Sequence, residues 1–268
     1  MTATNVHLFD FNGNQIAYRK FGYGPATLLA FHGFGQSSQI YWSIERRLGR
    51  QFTIFALDLF FHGSSRYTGS QLLTKTDWSE LLTAFLNEQR IARFSVMGFS
   101  LGGRFALVTA ENFASRLDQL ILIAPDGITY NFWYSLATGS SPGRRFFRYM
   151  LEHLFVLNRL GYILIRFGLL DQSIIRFVDA RLNSPHHREQ IYQTWTHFRH
   201  IRPDLACISK DLNTYPIRTH FFTGAFDQLV PGTYILPLAK RLRHYTLTVL
   251  KTGHNRLIEL AVDALSDT

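Results

Sequence analysis

The sequence predicts an α/β protein: a mostly parallel central sheet with helices on both faces and one helical insertion. Three observations carry this. Two hairpin-like strands open the chain, short apolar runs then alternate with helical periods, and the alternation breaks once, over 126–205. The domain reading is a core made of 1–125 and 206–268, with 126–205 inserted as a helical cap over the C-terminal edge of the sheet.

Val6 to Phe11 and Gln15 to Phe21 read as strands, and Asn12-Gly13 between them is a hairpin signal. Ala26 to Phe31 is a buried strand ending at His32-Gly33. Ile40, Ile44 and Leu48 share a helical face, so Ser38 to Leu48 is expected to be a helix. Phe52 to Leu57 is a strand ending at Asp58. Asp77 to Asn87 is helical, with Asp77 near its start. Phe94 to Phe99 is a strand and Leu101 to Ala114 a helix directly after it. Strands follow at Leu117 to Ala124, Thr219 to Thr223 and Leu247 to Leu250. Helices are expected over Tyr234 to Leu242 and Asn255 to Leu265. Right-handed crossovers should join the parallel strands.

Composition bounds the function class. Of 268 residues 46% are hydrophobic and 18% charged, which suits a folded core and argues against disorder. The net charge of +9 is spread along the chain without a like-charge run, and no nucleic-acid motif accompanies it. The expected partner is therefore a small-molecule substrate, not nucleic acid. Met1 to Asp10 lacks the pattern of a signal peptide, and the single Cys207 permits no internal disulfide. A cytoplasmic protein is expected, with Cys207 a small core residue. The longest apolar stretch, Leu151 to Leu170, is broken by Glu152, Arg159 and Arg166. That rules against a membrane span and leaves open a surface-seeking amphipathic helix.

The chemistry centres on Gly98-Phe99-Ser100-Leu101-Gly102-Gly103, between an apolar strand and an amphipathic helix. A serine on such a sharp turn projects its hydroxyl over the sheet edge. Glycines two positions either side let strand and helix approach. Ser100 is read as a covalent nucleophile. A serine hydroxyl needs a base, and the base needs an orienting carboxylate. His254, in Gly253-His254-Asn255 after the last strand, is the preferred base, with His62 its rival. Asp227, in the loop after the strand Thr219 to Thr223, is the preferred acid, with Asp126 the alternative. The backbone N–H groups of Leu101 and Phe34 are the expected oxyanion donors, Phe34 from His32-Gly33-Phe34-Gly35. His32 is expected to brace that loop. No cysteine/histidine cluster has metal spacing, and this chemistry needs no metal or cofactor.

Taken together, His32 to Gly35, Gly98 to Gly103, Gly224 to Pro231 and Gly253-His254 resemble the α/β-hydrolase fold superfamily, in its serine-nucleophile branch with a helical cap. The resemblance covers Val6 to Ala124 and Tyr215 to Leu265, and relatives carry their cap where 126–205 lies. One departure stands in Asp58-Leu59-Phe60-Phe61-His62-Gly63-Ser64-Ser65, where relatives usually have Pro-Gly in place of Phe60-Phe61. Serine at position 100 disfavours relatives with an aspartate nucleophile.

The expected activity is hydrolysis of a small or medium carboxylic ester through an acyl-enzyme. The same residues would serve carbon–carbon bond hydrolysis of a β-diketone-like acid, or acyl transfer. A slow or non-catalytic ligand-binding protein is the alternative of another class. Substrate choice is expected from the insertion, which holds ten arginines, no lysine and six acidic residues. Its aromatics include Tyr130, Phe132, Trp133, Tyr134, Phe146, Phe147, Tyr149, Phe155, Tyr162 and Trp195. Most are expected to pack the cap's own core. Trp133, Arg145 and Trp195 are the substrate-contact candidates. Arg144 and Arg148 join Arg145 as groups able to hold a carboxylate.

Overall fold

The computed structural model describes residues 5–69, 72–129, 132–169, 182 and 184–266. Chain contacts divide it into two units, 1–129 with 200–268, and 130–199.

The first unit is built on one eight-stranded sheet. Its strands are β1 (Val6–Phe11), β2 (Asn14–Phe21), β3 (Ala26–Phe31), β4 (Phe52–Leu57), β5 (Phe94–Phe99), β6 (Leu117–Ile123), β7 (Arg218–Gly224) and β8 (Thr246–Leu250). Their spatial order is β1-β2-β4-β3-β5-β6-β7-β8. β2 runs antiparallel to β1 and β4, and every other pairing is parallel. The β1–β2 turn is the expected hairpin. Asn12 and Gly13 both have positive φ, 49° and 76°, which matches the twist of the flanking strands.

Parallel strands buried on both faces need continuous apolar runs, and all six residues of β5 are buried. One side of the sheet packs Met97, Phe99, Ile121 and Phe222 against Tyr41, Leu257 and Val262. Between β3 and β4, Ser38–Ile44 forms a 3₁₀ helix and only Glu45–Leu48 is α-helical (α1). This corrects the expected single helix. Ser38, Tyr41 and Ile44 are the buried residues of the segment, a spacing of three that matches the 3₁₀ turn. The Tyr41 hydroxyl donates to the Phe31 carbonyl at 2.7 Å, which anchors the turn to β3.

Helix α2 (Lys75–Glu88) starts two residues before the expected Asp77. Thr74 is its cap, and Asp77 is the third helical residue, closing a capping box: Asp77 N–H donates to Thr74 Oγ1, and Thr74 N–H to Asp77 Oδ2. Helix α3 (Leu101–Phe113) follows β5 without a spacer. In the second unit lie α4 (Phe132–Gly139), α5 (Ser141–Glu152), α6 (Leu154–Arg166) and α7 (Pro185–His197). The first unit resumes with α8 (Leu205–Thr214). Beyond β7, a 3₁₀ turn over Gly232–Ile235 and the short α9 (Leu236–Ala239) replace the longer helix expected there. The chain closes with a 3₁₀ turn at His254–Arg256 and α10 (Leu257–Ser266).

Cys207 is exposed, contrary to the core position expected of it. On α8, Ile208, Ser209 and Leu212 face inward, which leaves Cys207 and Asp211, four apart, on the other side. The second unit spans 130–199 rather than 126–205. At its flanks, Thr129 Oγ1 donates to the Tyr234 carbonyl and Asp204 N–H to the Glu111 carboxylate, both inside the first unit.

Candidate active site

In a parallel sheet the loops that leave the strands' carboxyl ends share one edge. Ser100 leaves β5, Asp227 lies three residues past β7, and His254 four past β8. β7 and β8 are neighbours, and β5 is separated from β7 by β6 alone.

Ser100 has φ 51° and ψ −117°, a conformation few non-glycine residues adopt. The surroundings enforce it. Its N–H donates to the Ile123 carbonyl, and its own carbonyl accepts from Gly103 and Asp126 N–H. Glycine is required on both sides of the turn. A Cβ on Gly102 would overlap the Phe31 carbonyl, and one on Gly98 would strike Gly102 and Ala106. The serine is thereby held on a bend between two buried elements.

His254 Nδ1 and Asp227 Oδ2 are 2.6 Å apart. A carboxylate only accepts, so Nδ1 carries the proton and Nε2 is left as the basic nitrogen. Asp227 is buried, and its other oxygen accepts from Leu229 and Val230 N–H, both at 3.0 Å. The Asp227 loop is zipped to the end of β8: Ala225 N–H donates to the Leu250 carbonyl, and Phe226 N–H to the Thr252 carbonyl. On its other side the His254 ring tilts over Phe99, centroids 4.8 Å apart. Phe99 immediately precedes Ser100, so this contact brings the histidine–aspartate pair beside the end of β5. Nothing in the residue pattern marked Phe99 for that role beyond its place before the serine.

Asp126 is occupied differently. Its Oδ2 pairs with Arg104 Nη2 at 2.5 Å, and the Arg104 side chain is 5% exposed. The carboxylate on His254 is therefore Asp227. The Arg104 partnership had no signature in the sequence, because the two residues meet only through the packing of α3 under the loop after β6.

The Phe34 loop is a tight turn. Gln36 N–H donates to the Gly33 carbonyl, Gly35 has φ 69°, and the Gln36 side chain accepts from Gly33 N–H. Phe34 occupies the position of such a turn whose N–H has no partner within it. Leu101 is the first residue of α3, where helix geometry likewise supplies no intrahelical acceptor for its N–H.

Two buried histidines stand behind this loop. His32 Nδ1–H donates to the Gly33 carbonyl at 2.7 Å, and its Nε2 accepts from Leu59 N–H at 3.0 Å. These bonds fix a neutral ring that ties the β3 loop to the β4 loop. His62 Nδ1–H donates to the Phe60 carbonyl, and its ring packs edge-on to Phe34. His62 thus holds its own loop, and the histidine paired with a carboxylate is His254. Asp58 completes the support, accepting from Ser38 and Ser64 N–H. Where relatives usually have Pro-Gly, Phe61 takes φ 65°, so a left-handed turn is kept without glycine. Its ring lies against Tyr67, centroids 5.6 Å apart.

Burial pushes the pKa of His62 down to about 3 from an ordinary 6.5, helped by the neighbouring His32. The unfolded chain then binds more protons between those values. Stability is complete above about pH 6.5 and is lost as the pH falls toward 3. Going from pH 7 to pH 5 should cost about 2 kcal/mol through His62 alone. Urea midpoints at the two pH values test this. His32, which burial also shifts down, adds to the same loss. His62→Asn, which keeps a donor to Phe60, should therefore reduce the difference without abolishing it, and an unchanged difference would contradict it.

A sequence model of the alpha/beta hydrolase fold matches residues 26–260. The chain belongs to the alpha/beta hydrolase fold family. Among curated alpha/beta hydrolase relatives, a pimeloyl-[acyl-carrier protein] methyl ester esterase from Nitrosomonas europaea is 31% identical over 103 residues, 38% of each chain. The chain spans about a third of the length of the curated relatives it matches. Among solved structures, a hydrolase from Pseudomonas aeruginosa superposes with a TM-score of 0.69 at 18% identity, covering 99% of this chain and 97% of that one. A meta-cleavage product hydrolase from Pseudomonas fluorescens gives 0.64 at 19% identity, covering 97% and 94%. Among the described residues no group of histidine, cysteine and carboxylates is arranged to hold a metal ion, and no helix is long and apolar enough to cross a membrane.

The substrate-contact candidates all lie in the second unit. Trp195 stacks on Phe147, centroids 5.2 Å apart, and meets the edge of Tyr134 at 5.3 Å, so it belongs to that unit's own aromatic cluster. Trp133 is half-buried beside Phe132. Arg144 donates to the Thr138 carbonyl, and Arg148 is held by Glu152, Glu189 and the face of Tyr192. Arg145 is exposed on α5. Tyr130 lies outside the described residues.

Proposed function

We propose that the protein is a serine hydrolase that cleaves a small or medium carboxylic ester through an acyl-enzyme, with Ser100 as nucleophile, His254 as base and Asp227 as its orienting acid. The observation that carries the reading is the 2.6 Å His254–Asp227 pair, seated against the residue before a serine on a strained strand-to-helix turn.

In the first step His254 Nε2 takes the hydroxyl proton of Ser100 as Oγ attacks the carbonyl carbon. Asp227 keeps the imidazolium in register through Nδ1–H. Charge grows on the carbonyl oxygen, and the N–H groups of Leu101 and Phe34 receive it. The positive end of α3 adds to them. The carbon–oxygen ester bond then breaks, and the leaving alkoxide takes the proton from His254. Water, deprotonated by the same nitrogen, attacks the acyl carbon and frees Ser100. No step calls on a metal or cofactor.

An ester is favoured as substrate because the Nitrosomonas europaea relative is a methyl ester esterase. The test is turnover of p-nitrophenyl esters of rising chain length, run in ¹⁸O-water. The reading expects one labelled oxygen in the acid product and a preferred chain length. Turnover that delivers the acyl group only to an added acceptor, without ¹⁸O in the acid, would make the protein an acyltransferase instead.

A further inference from the structure

Helix α6, in the second unit, turns an apolar and cationic face to solvent. Phe155, Arg159, Tyr162, Ile163 and Arg166 are spaced by four, three, one and three residues. On a helix they fall within an arc of about 100°. That arc is the exposed one: Phe155 is 75%, Tyr162 60% and Ile163 45% exposed, and both arginines are exposed. The apolar run continues past the helix end with Phe167, 73% exposed. A helix face turned to water is ordinarily polar, so three large apolar side chains on this one require a partner.

The charge on the same face says which. The two cations alternate with the rings, and α6 contains no Asp or Glu. A second copy packed across a two-fold axis would bring arginine toward arginine without a carboxylate between them. Nucleic acid would satisfy the cations and leave Phe155 and Ile163 in water. An anionic bilayer satisfies both. Aromatic and aliphatic groups sit at the headgroup boundary while the long arginine side chains reach the phosphates.

We infer that the exposed face of α6 is a docking surface for anionic phospholipid membranes, on which the protein lies peripherally. Docking and the Ser100 reaction rest on different residues and are read by different assays, so the two readings can fail separately.

The test is flotation of the 268-residue chain with phosphatidylcholine vesicles, with and without about 30% phosphatidylglycerol. Protein should float with the anionic vesicles and stay behind with the neutral ones. Arg159→Gln with Arg166→Gln should lower the partition coefficient roughly thirtyfold, and Phe155→Ser with Tyr162→Ser should abolish flotation. All four positions are exposed, so circular dichroism of both variants should match the parent. The composition dependence of the parent stands as a test even where a variant fails to fold. Absence of flotation, equal flotation with both vesicle types, or flotation unchanged by the substitutions overturns the proposal. So does a lipid-free dimer that Phe155→Ser with Tyr162→Ser dissociates, since it would give the face to a second copy.

Discussion

Ser100→Ala should lower ester turnover by about 10⁴- to 10⁶-fold while leaving a folded protein. The hydroxyl is the only group the substitution removes, and the backbone strain at φ 51° persists because alanine tolerates that conformation no better. Ser100→Gly separates the two properties. It should be equally inactive, and more stable by about 1 kcal/mol, because glycine adopts the turn without strain. Steady-state kinetics with thermal or urea melts on the parent and both variants check this. A Ser100→Ala protein that keeps more than a hundredth of parental activity would remove the serine from the mechanism.

The second large effect divides the two carboxylates that sequence alone left open. Asp227→Asn should reduce kcat by about 10³- to 10⁴-fold with little change in KM, since an amide can present its N–H to Nδ1 and favour the wrong tautomer of His254. Asp126→Asn should leave kcat within about tenfold. It should instead cost about 2 kcal/mol of stability, because the ion pair with the buried Arg104 is lost. That figure allows for the Asp126 side chain being 32% exposed. Parallel kcat, KM and urea measurements distinguish them, and a reversal of the pattern would exchange the roles assigned to the two residues.

The strands were legible to within a residue or so at each end, because strands buried on both faces must be written as uninterrupted apolar runs. Ala26–Phe31, Phe52–Leu57 and Phe94–Phe99 are bounded by turn residues that leave little choice. Helices were less legible where apolar spacing of three and of four overlap. Ser38, Tyr41 and Ile44 select a 3₁₀ turn, yet Ile40, Ile44 and Leu48 offer an α period in the same stretch. Cys207 shows the same limit in miniature, since only the packing of Ile208 and Leu212 decides which side of α8 is buried.

At the candidate site, Ser100, Asp227 and His254 each stand just after a strand, and a parallel sheet delivers such positions to one edge. Contacts between loops were not legible. The Arg104–Asp126 pair, the bond from Leu59 to His32 and the seat of His254 on Phe99 all depend on side chains from elements distant in sequence. Each sits next to the proposed catalytic set and holds its loops, and no local residue preference encodes it.

Covalent labelling tests the nucleophile directly. The folded protein would be treated with a fluorophosphonate and read by intact mass and by the mass of the labelled peptide, beside Ser100→Ala. One adduct per chain is expected, on Ser100, absent from the variant and slowed in Asp227→Asn. A folded protein that takes up no label, or takes it up at another residue, would contradict it.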